Sequence, residues 1–267
     1  MPIDVIIHGA CGRMGKRLVA LATEDPRMNC VGAIDHPDSP FLGQDAGEIA
    51  SGSANGVIIT SDLDLSKGQL VIDFALPVAF NNLIDAAVKA GVAVVSGTTG
   101  IQDEHYAKIE EASKSIPVLY SPNMSVGVNL MFLAARQLAE WVGEDFDIEV
   151  VEAHHRFKKD APSGTALRLG EMLAEGRGLH LKDVAKYTRE GVHEERAPNE
   201  IGIQSIRGGD IVGEHTAYFT TFGERLELTH RATSRDIFVR CALRAAHWLS
   251  HQKPGKYSIF DMISLKS

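Results

Sequence analysis

The stretch Val5-Ile6-Ile7-His8-Gly9-Ala10-Cys11-Gly12-Arg13-Met14-Gly15-Lys16-Arg17-Leu18-Val19-Ala20-Leu21 decides the fold. The apolar run at its start reads as a buried strand. Three glycines then carry a turn, and Lys16 to Leu21 reads as the helix that follows. A second apolar run, Cys30-Val31-Gly32-Ala33-Ile34, ends at Asp35. Strand, glycine turn, helix and strand with a terminal acid form the pattern of a dinucleotide-binding unit. The glycines let the backbone turn tightly and approach a pyrophosphate, while the helix N-terminus offers N–H groups and a positive dipole end. Asp35 lies 20 positions after Gly15, the separation at which a carboxylate meets the adenosine ribose. The spacing is G-x-x-G-x-x-G, not the strict G-x-G-x-x-G. By themselves the glycines are compatible with a turn that holds no ligand, so the flanking elements carry the reading.

The same alternation continues outward. Leu70 to Ala75 reads as a strand, Pro77 opens a helix through Ala90, and Gly91 ends it, following the preference for proline first and glycine last. Val92 to Ser96 is the next strand and closes on Gly97-Thr98-Thr99-Gly100. A helix over Gln102 to Ser115 and a strand over Pro117 to Tyr120 follow, ending at Ser121-Pro122-Asn123-Met124. The pattern predicts an α/β fold, a Rossmann-type doubly wound parallel sheet. Ligands of such sheets sit beyond the carboxyl ends of the strands. The turns Gly9–Met14, Gly97–Thr99 and Ser121–Met124 should therefore converge on one cleft. Asp35 would accept hydrogen bonds from a ribose 2′-hydroxyl and repel a 2′-phosphate. The next residue is His36, a poorer phosphate clamp than a guanidinium fork. NADH is expected to serve at least as well as NADPH.

After Met124 the pattern changes. Ser125 to Val142 reads as a long apolar helix and Phe146 to Ala153 as a strand. Lys182 to Glu200 is polar and reads as a loop or excursion, and short alternating segments from Ile201 to Thr229 suggest an antiparallel or mixed sheet. Ser234 to Ser250 is a last amphipathic helix. The expected organisation is a dinucleotide-binding domain over 1–124, completed by 235–267, and an α+β substrate and oligomerisation domain of mixed sheet over 125–234.

The densest chemistry lies in Glu152-Ala153-His154-His155-Arg156-Phe157-Lys158-Lys159-Asp160-Ala161-Pro162-Ser163-Gly164-Thr165-Ala166. Ser163 reads as the cap of a helix. Glu152, His154, His155 and Asp160 are all possible metal ligands. Neighbours on a strand face opposite ways, however, so His154 and His155 would not share an ion, and no metal is expected. A structural reading is also open, with buried histidines at a strand end and solvated lysines. The reading preferred is an anion-binding acid/base site. Histidine exchanges protons near neutral pH, lysine stabilises developing negative charge, and a helix start holds carboxylates.

Bulk properties narrow the classes. The net charge of -8 argues against a general nucleic-acid binder. No apolar run approaches the roughly 20 residues that span a bilayer, and the N-terminus does not read as a signal peptide. Cys11, Cys30 and Cys241, odd in number and scattered, suit free thiols in a reducing cytoplasm.

The segment from Glu152 to Ala166 resembles the signature of the 4-hydroxy-tetrahydrodipicolinate reductases, also called dihydrodipicolinate reductases. The likeness extends to Gly9–Gly15, Gly97–Gly100 and Ser121–Ser125. It implies reduction of (2S,4S)-4-hydroxy-2,3,4,5-tetrahydrodipicolinate, a cyclic dicarboxylate, to (S)-2,3,4,5-tetrahydrodipicolinate with loss of water. NADH or NADPH is oxidised, in the diaminopimelate route to lysine. It further implies His154 as acid/base residue, Lys158 as proton donor, His155 as a substrate contact, and Gly164 and Thr165 as holders of a substrate carboxylate. Nucleotide contacts fall on Gly9, Ala10, Cys11, Gly12, Arg13, Met14, Asp35, Gly97, Thr98, Thr99, Ser121, Pro122, Asn123 and Met124. The likeness also implies a homotetramer assembled through the second domain's sheet. Two positions depart from the pattern: His36 stands where arginine is often found, and Ser121-Pro122-Asn123 replaces an alanine-rich turn. The competing readings are an amino-acid dehydrogenase that shares only the nucleotide domain and a nucleotide sensor without turnover.

Overall fold

The computed structural model describes residues 1–192 and 194–263. The chain divides into two compact units, Met1–Met124 together with the residues from Asp236 onward, and Ser125–Arg235.

In the first unit the strands β1 (Ile3–His8), β2 (Met28–Ile34), β3 (Ile59–Thr60), β4 (Leu70–Asp73), β5 (Ala93–Ser96) and β6 (Pro117–Tyr120) alternate with helices α1 (Arg13–Glu24), α2 (Ala46–Ser51), α3 (Pro77–Ala90) and α4 (Asp103–Ala112). Pro77 stands in the first turn of α3, where its missing N–H has no cost, and Gly91 closes the helix at φ +69°. Phe80, Leu83, Ile84 and Ala87 recur at helical spacing on α3. They pack with Ile109 and Ala112 of α4 over Ile6, Val71, Val94 and Val118 of the sheet. Each large side chain so buried contributes about 1.5–3 kcal/mol. The elements α2 and β3, of six and two residues, are too short to show a hydrophobic period. Asp45 holds α2 in place, accepting hydrogen bonds from the N–H groups of Gly47 and Glu48.

The second unit opens with α5 (Val126–Val142), capped by Ser125, whose Oγ accepts from Val128 N at 3.3 Å. A 3-10 turn (Gly143–Asp145) leads into β7 (Asp147–His154), α6 (Gly164–Gly176), α7 (Leu181–Val184), β8 (Ala185–Lys186), β9 (Ile201–Arg207), β10 (Gly213–Thr221) and β11 (Glu224–Ala232). The five strands lie in the order β11-β10-β7-β9-β8. Strand β7 is parallel to β9 and antiparallel to β10, so the sheet is mixed. The polar stretch 182–200 is not wholly a loop, because Leu181–Val184 forms a helical turn and Ala185–Lys186 adds an edge strand to β9. Helices α5 and α6 approach closely: a Cβ on Gly176 would come within 2.3 Å of the Arg136 carbonyl oxygen. On β7 the residues Ile148, Val150, Glu152 and His154 share one face. Ile148 and Val150 are fully buried, so the face that is apolar at the start of the strand becomes polar at its end.

The chain then returns to the first unit with α8 (Asp236–Leu249), β12 (Gly255–Tyr257) and α9 (Ile259–Ile263). The seven strands of this unit run in the order β12-β6-β5-β4-β1-β2-β3, all parallel. Asp236 fixes the entry of α8 by a two-pronged pair with Arg17 of α1, at 2.9 and 2.7 Å. Among the described residues no helix is long and apolar enough to cross a membrane.

Candidate active site

In the first unit the glycine turn follows the end of β1. Gly9 has φ +78°, and a Cβ there would meet the Phe74 carbonyl at 2.9 Å; a Cβ on Gly15 would lie 2.0 Å from the Gly9 carbonyl. Only glycine permits this packing of turn against helix. No side chain caps the N-terminus of α1, so its N–H groups are available to an anion. The Asp35 carboxylate, at the end of β2, accepts hydrogen bonds from Cys11 N at 2.5 Å and His36 N at 2.7 Å. A cavity of about 400 Å³ is lined by Gly9, Gly12, Asp35, His36, Phe74 and Ala75 among others. A second hollow, of about 300 Å³, is lined by Met14, Gly97, Thr98, Thr99, Pro122, Asn123 and Met124, and it shares Phe74 and Ala75 with the first. The three turns thus converge at the carboxyl edge of the sheet. The open glycine turn and the two hollows that meet at Phe74 and Ala75 fit a nicotinamide dinucleotide.

Individual residues play unequal parts in that cleft. Ala10, Cys11, Arg13 and Ser121 line neither hollow. Thr98 is buried; its hydroxyl donates inward to Asp73 at 2.8 Å and its N–H donates to Ser96 Oγ at 3.3 Å. The Ser121 hydroxyl donates to the Asn123 carbonyl at 2.7 Å and shapes its own turn. Burial pushes the Cys11 thiol up to about 11, and the nearby Asp35 adds to this, which keeps the thiol protonated near neutral pH. Phe74 and Ala75 line both hollows but carry no glycine or polar signal that sequence patterning would mark.

In the second unit His154 is the last residue of β7, and its Nδ1 lies 2.5 Å from Glu152 Oε2. Glu152 is fully buried. Its two oxygens also accept from Arg207 Nη1 at 2.9 Å and Nη2 at 2.8 Å, and Oε1 accepts from Ser163 N at 3.1 Å. Burial opposes ionisation of this carboxyl most strongly. Hydrogen bonds from His154, Arg207 and Ser205 together outweigh it and hold the group well below the usual carboxylate range. His215, opposite Glu152 in the β7–β10 register, presents its ring 5.2 Å from that of His154, edge to face. Its Nε2 lies 3.2 Å from Ser163 Oγ. Burial, reinforced by the neighbouring His154, pushes the His215 imidazole down to about 3, so it is neutral at physiological pH.

Ser163 caps α6, its Oγ accepting from Ala166 N at 3.2 Å. Gly164 and Thr165 form the first turn beyond it. Gly164 is exposed, and a Cβ there would meet nothing within 4 Å, so an anion can approach its backbone. His155 lies just past the strand. Lys158 follows on the loop, with its Nζ 2.9 Å from Asp160 Oδ2. Sequence patterning passed over Arg207 and His215 altogether and met Glu152 only as a possible metal ligand. No three histidines, cysteines or carboxylates are gathered as a metal site among the described residues.

Two family descriptions match the chain: dihydrodipicolinate reductase, N-terminus, over residues 3–124, and dihydrodipicolinate reductase, C-terminus, over residues 127–263. The chain is 47% identical to a 4-hydroxy-tetrahydrodipicolinate reductase of Syntrophotalea carbinolica, over 99% of this chain and 100% of that protein. It is 48% identical to the protein of that name from Anaeromyxobacter dehalogenans, over 98% of each. Among solved structures, a dipicolinate-bound dihydrodipicolinate reductase from Paenisporosarcina sp. TG-14 shares the fold with a TM-score of 0.73 at 24% identity, covering 97% of this chain and 98% of that one. The glycine turn, the histidine–lysine loop and these full-length matches agree, and the chain belongs to the dihydrodipicolinate reductase family.

Proposed function

We propose that this chain reduces (2S,4S)-4-hydroxy-2,3,4,5-tetrahydrodipicolinate to (S)-2,3,4,5-tetrahydrodipicolinate with loss of water, in the diaminopimelate route to lysine. The observation that carries this reading is the arrangement around Glu152, in a chain of this family: one buried carboxylate touches both an imidazole and the start of a helix. An acid and an anion cradle are what reduction of an unsaturated cyclic dicarboxylate demands. A reduced nicotinamide, when bound in the cleft of the first unit, supplies the hydride. Electron density left on the ring must then be met by a proton. His154 and Lys158 are the candidate acids. Gly164 and Thr165, at the positive end of α6, hold a substrate carboxylate, and His155 contacts the same molecule. In this reading the first unit binds the nucleotide, through the turns Gly9–Met14, Gly97–Thr99 and Ser121–Met124 and through Asp35.

For the cofactor, the reading favours NADH at least as much as NADPH. The carboxylate of Asp35 suits a 2′-hydroxyl and repels a phosphate, and His36 offers no guanidinium fork. A homotetramer formed through the second unit's sheet is proposed as well. By register, Val151, Ile206 and Tyr218 stand on the face away from Ile148 and Val150, and Ile206 is exposed. A reducing, cytoplasmic setting suits the three free cysteines. An assay on freshly generated synthase product tests the function, following NADH and NADPH oxidation side by side. Turnover with NADH at least equal to that with NADPH supports both readings. A strong NADPH preference overturns the cofactor assignment, and no turnover with either overturns the function. Light scattering of the purified chain decides the tetramer.

A further inference from the structure

We propose that Glu152 is a positioning residue: its carboxylate fixes His154 with Nδ1 bonded and Nε2 free to move the proton, and ties that imidazole to the helix start that holds the substrate. The inference rests on the acid/base role proposed for His154.

Strand geometry brings the parts together. Glu152 and His154 are two apart on β7 and so share a face. In the sheet register Ser205 and Arg207 of β9 lie beside Glu152 and His154, and His215 of β10 lies opposite Glu152. Glu152 Oε2 accepts from His154 and Arg207, Oε1 accepts from Arg207 and Ser163 N, and Ser205 also donates to the carboxylate. A carboxylate can only accept, so the nitrogen it meets must carry the hydrogen. That makes Nδ1 the N–H of the neutral imidazole and leaves Nε2 with the exchangeable site. Space exists on that side because residue 213 is glycine; a Cβ there would stand 3.0 Å from Nε2. The bond to Ser163 N makes the same carboxylate a clamp on the cap of α6. Arg207 Nη2 extends the clamp to the Asp160 carbonyl at 2.6 Å, reaching the loop that carries Lys158. The charged and titratable groups around the Glu152–His154 pair are Arg207 on β9, His215 on β10, and, through His215, His230 on β11 and Lys158 on the loop with its partner Asp160. Glu152 is the anion in direct contact with the imidazole.

The test has two arms. In the unmodified protein, labelled with ¹⁵N-histidine and assigned with His154→Gln, the neutral His154 ring is expected as the Nδ1–H tautomer. The Nε2–H tautomer overturns the proposal, whatever the substrate proves to be. In the kinetic arm Glu152→Gln should lower kcat about tenfold or more, since an amide can donate as well as accept and no longer fixes the Nδ1–H tautomer. It should also raise KM for the dicarboxylate. Glu152→Asp restores an acceptor-only carboxylate but draws it back from Ser163, so kcat recovers in part while KM stays raised. A kcat that Glu152→Gln leaves unchanged overturns the proposal. Should Glu152→Gln fail to fold, the tautomer and the aspartate variant still decide. An inactive wild-type enzyme would overturn the proposed function, while the tautomer arm would still judge the role of Glu152.

Discussion

His8 Nδ1 lies 2.8 Å from Asp73 Oδ1, joining the carboxyl ends of β1 and β4 where the turns at Gly9 and Phe74 begin. Both residues are buried. Asp73 Oδ1 also accepts from Ala75 N at 3.1 Å, and Oδ2 accepts from the hydroxyls of Ser96 and Thr98 at 2.7 and 2.8 Å. One carboxylate therefore gathers the ends of three neighbouring strands. Burial works against its charge, but His8, Ser96 and Thr98 outweigh it and hold the carboxyl below its ordinary range. Asp73→Asn keeps the shape but loses the charge and two acceptor sites. It should destabilise the protein by about 3 kcal/mol or more in urea unfolding and weaken NADH binding in a fluorescence titration. Wild-type values for both would show that the network does not organise the turns.

His154→Ala and Lys158→Ala should each lower kcat by roughly 10²- to 10⁴-fold, the range for losing a general acid. Circular dichroism should show both variants folded. If both retain near-normal turnover, neither residue delivers the proton.

Gly164→Ala separates binding from stability. Its Cβ meets no protein atom, so thermal unfolding should match wild type. The methyl group would stand where the proposed function has a substrate carboxylate approach the N–H groups of α6. Loss of one charge-assisted hydrogen bond, about 1.5–3 kcal/mol, corresponds to a rise in KM of about 10- to 100-fold. An unchanged KM would remove the helix start from the binding site.

The acid limb of stability has a stated direction. The His215 imidazole is pushed down to about 3 in the folded protein, chiefly by burial, against about 6.5 when unfolded. The unfolded chain binds the extra proton, so stability is full above about pH 6.5 and falls as pH drops towards 3, at up to about 1.4 kcal/mol per pH unit. Glu152, whose carboxyl is held low, adds a further loss below about pH 4 as the unfolded chain protonates first. The neighbours His154, His230 and Lys158 oppose charge on His215, and Glu152 favours it. Urea midpoints measured from pH 7 to pH 4 should therefore decline, and His215→Gln should flatten the decline. An unaltered slope in that variant would assign the acid lability elsewhere.

Local sequence determined much of the first unit. The helix Pro77–Ala90 has its observed bounds because proline is tolerated only at a helix start and Gly91 takes a positive φ at no steric cost. The turn at Gly9 and the cap at Ser163 were legible for the same reason: each is a conformational demand met by one residue type at one position. The histidine–lysine loop was legible from its density of reactive groups and from its likeness to a known family. Tertiary structure alone decided who partners whom. Arg207 and His215 lie more than fifty residues from Glu152 in the chain and meet it only because β9 and β10 flank β7 in a particular register. The edge strand at Ala185–Lys186 was equally invisible, since two residues carry no period. Sequence patterning reports local conformation and burial; a carboxylate's role depends on the donors around it, and strand register supplies these. Glu152, met first as one possible metal ligand among several, became the residue that joins the imidazole to the helix start.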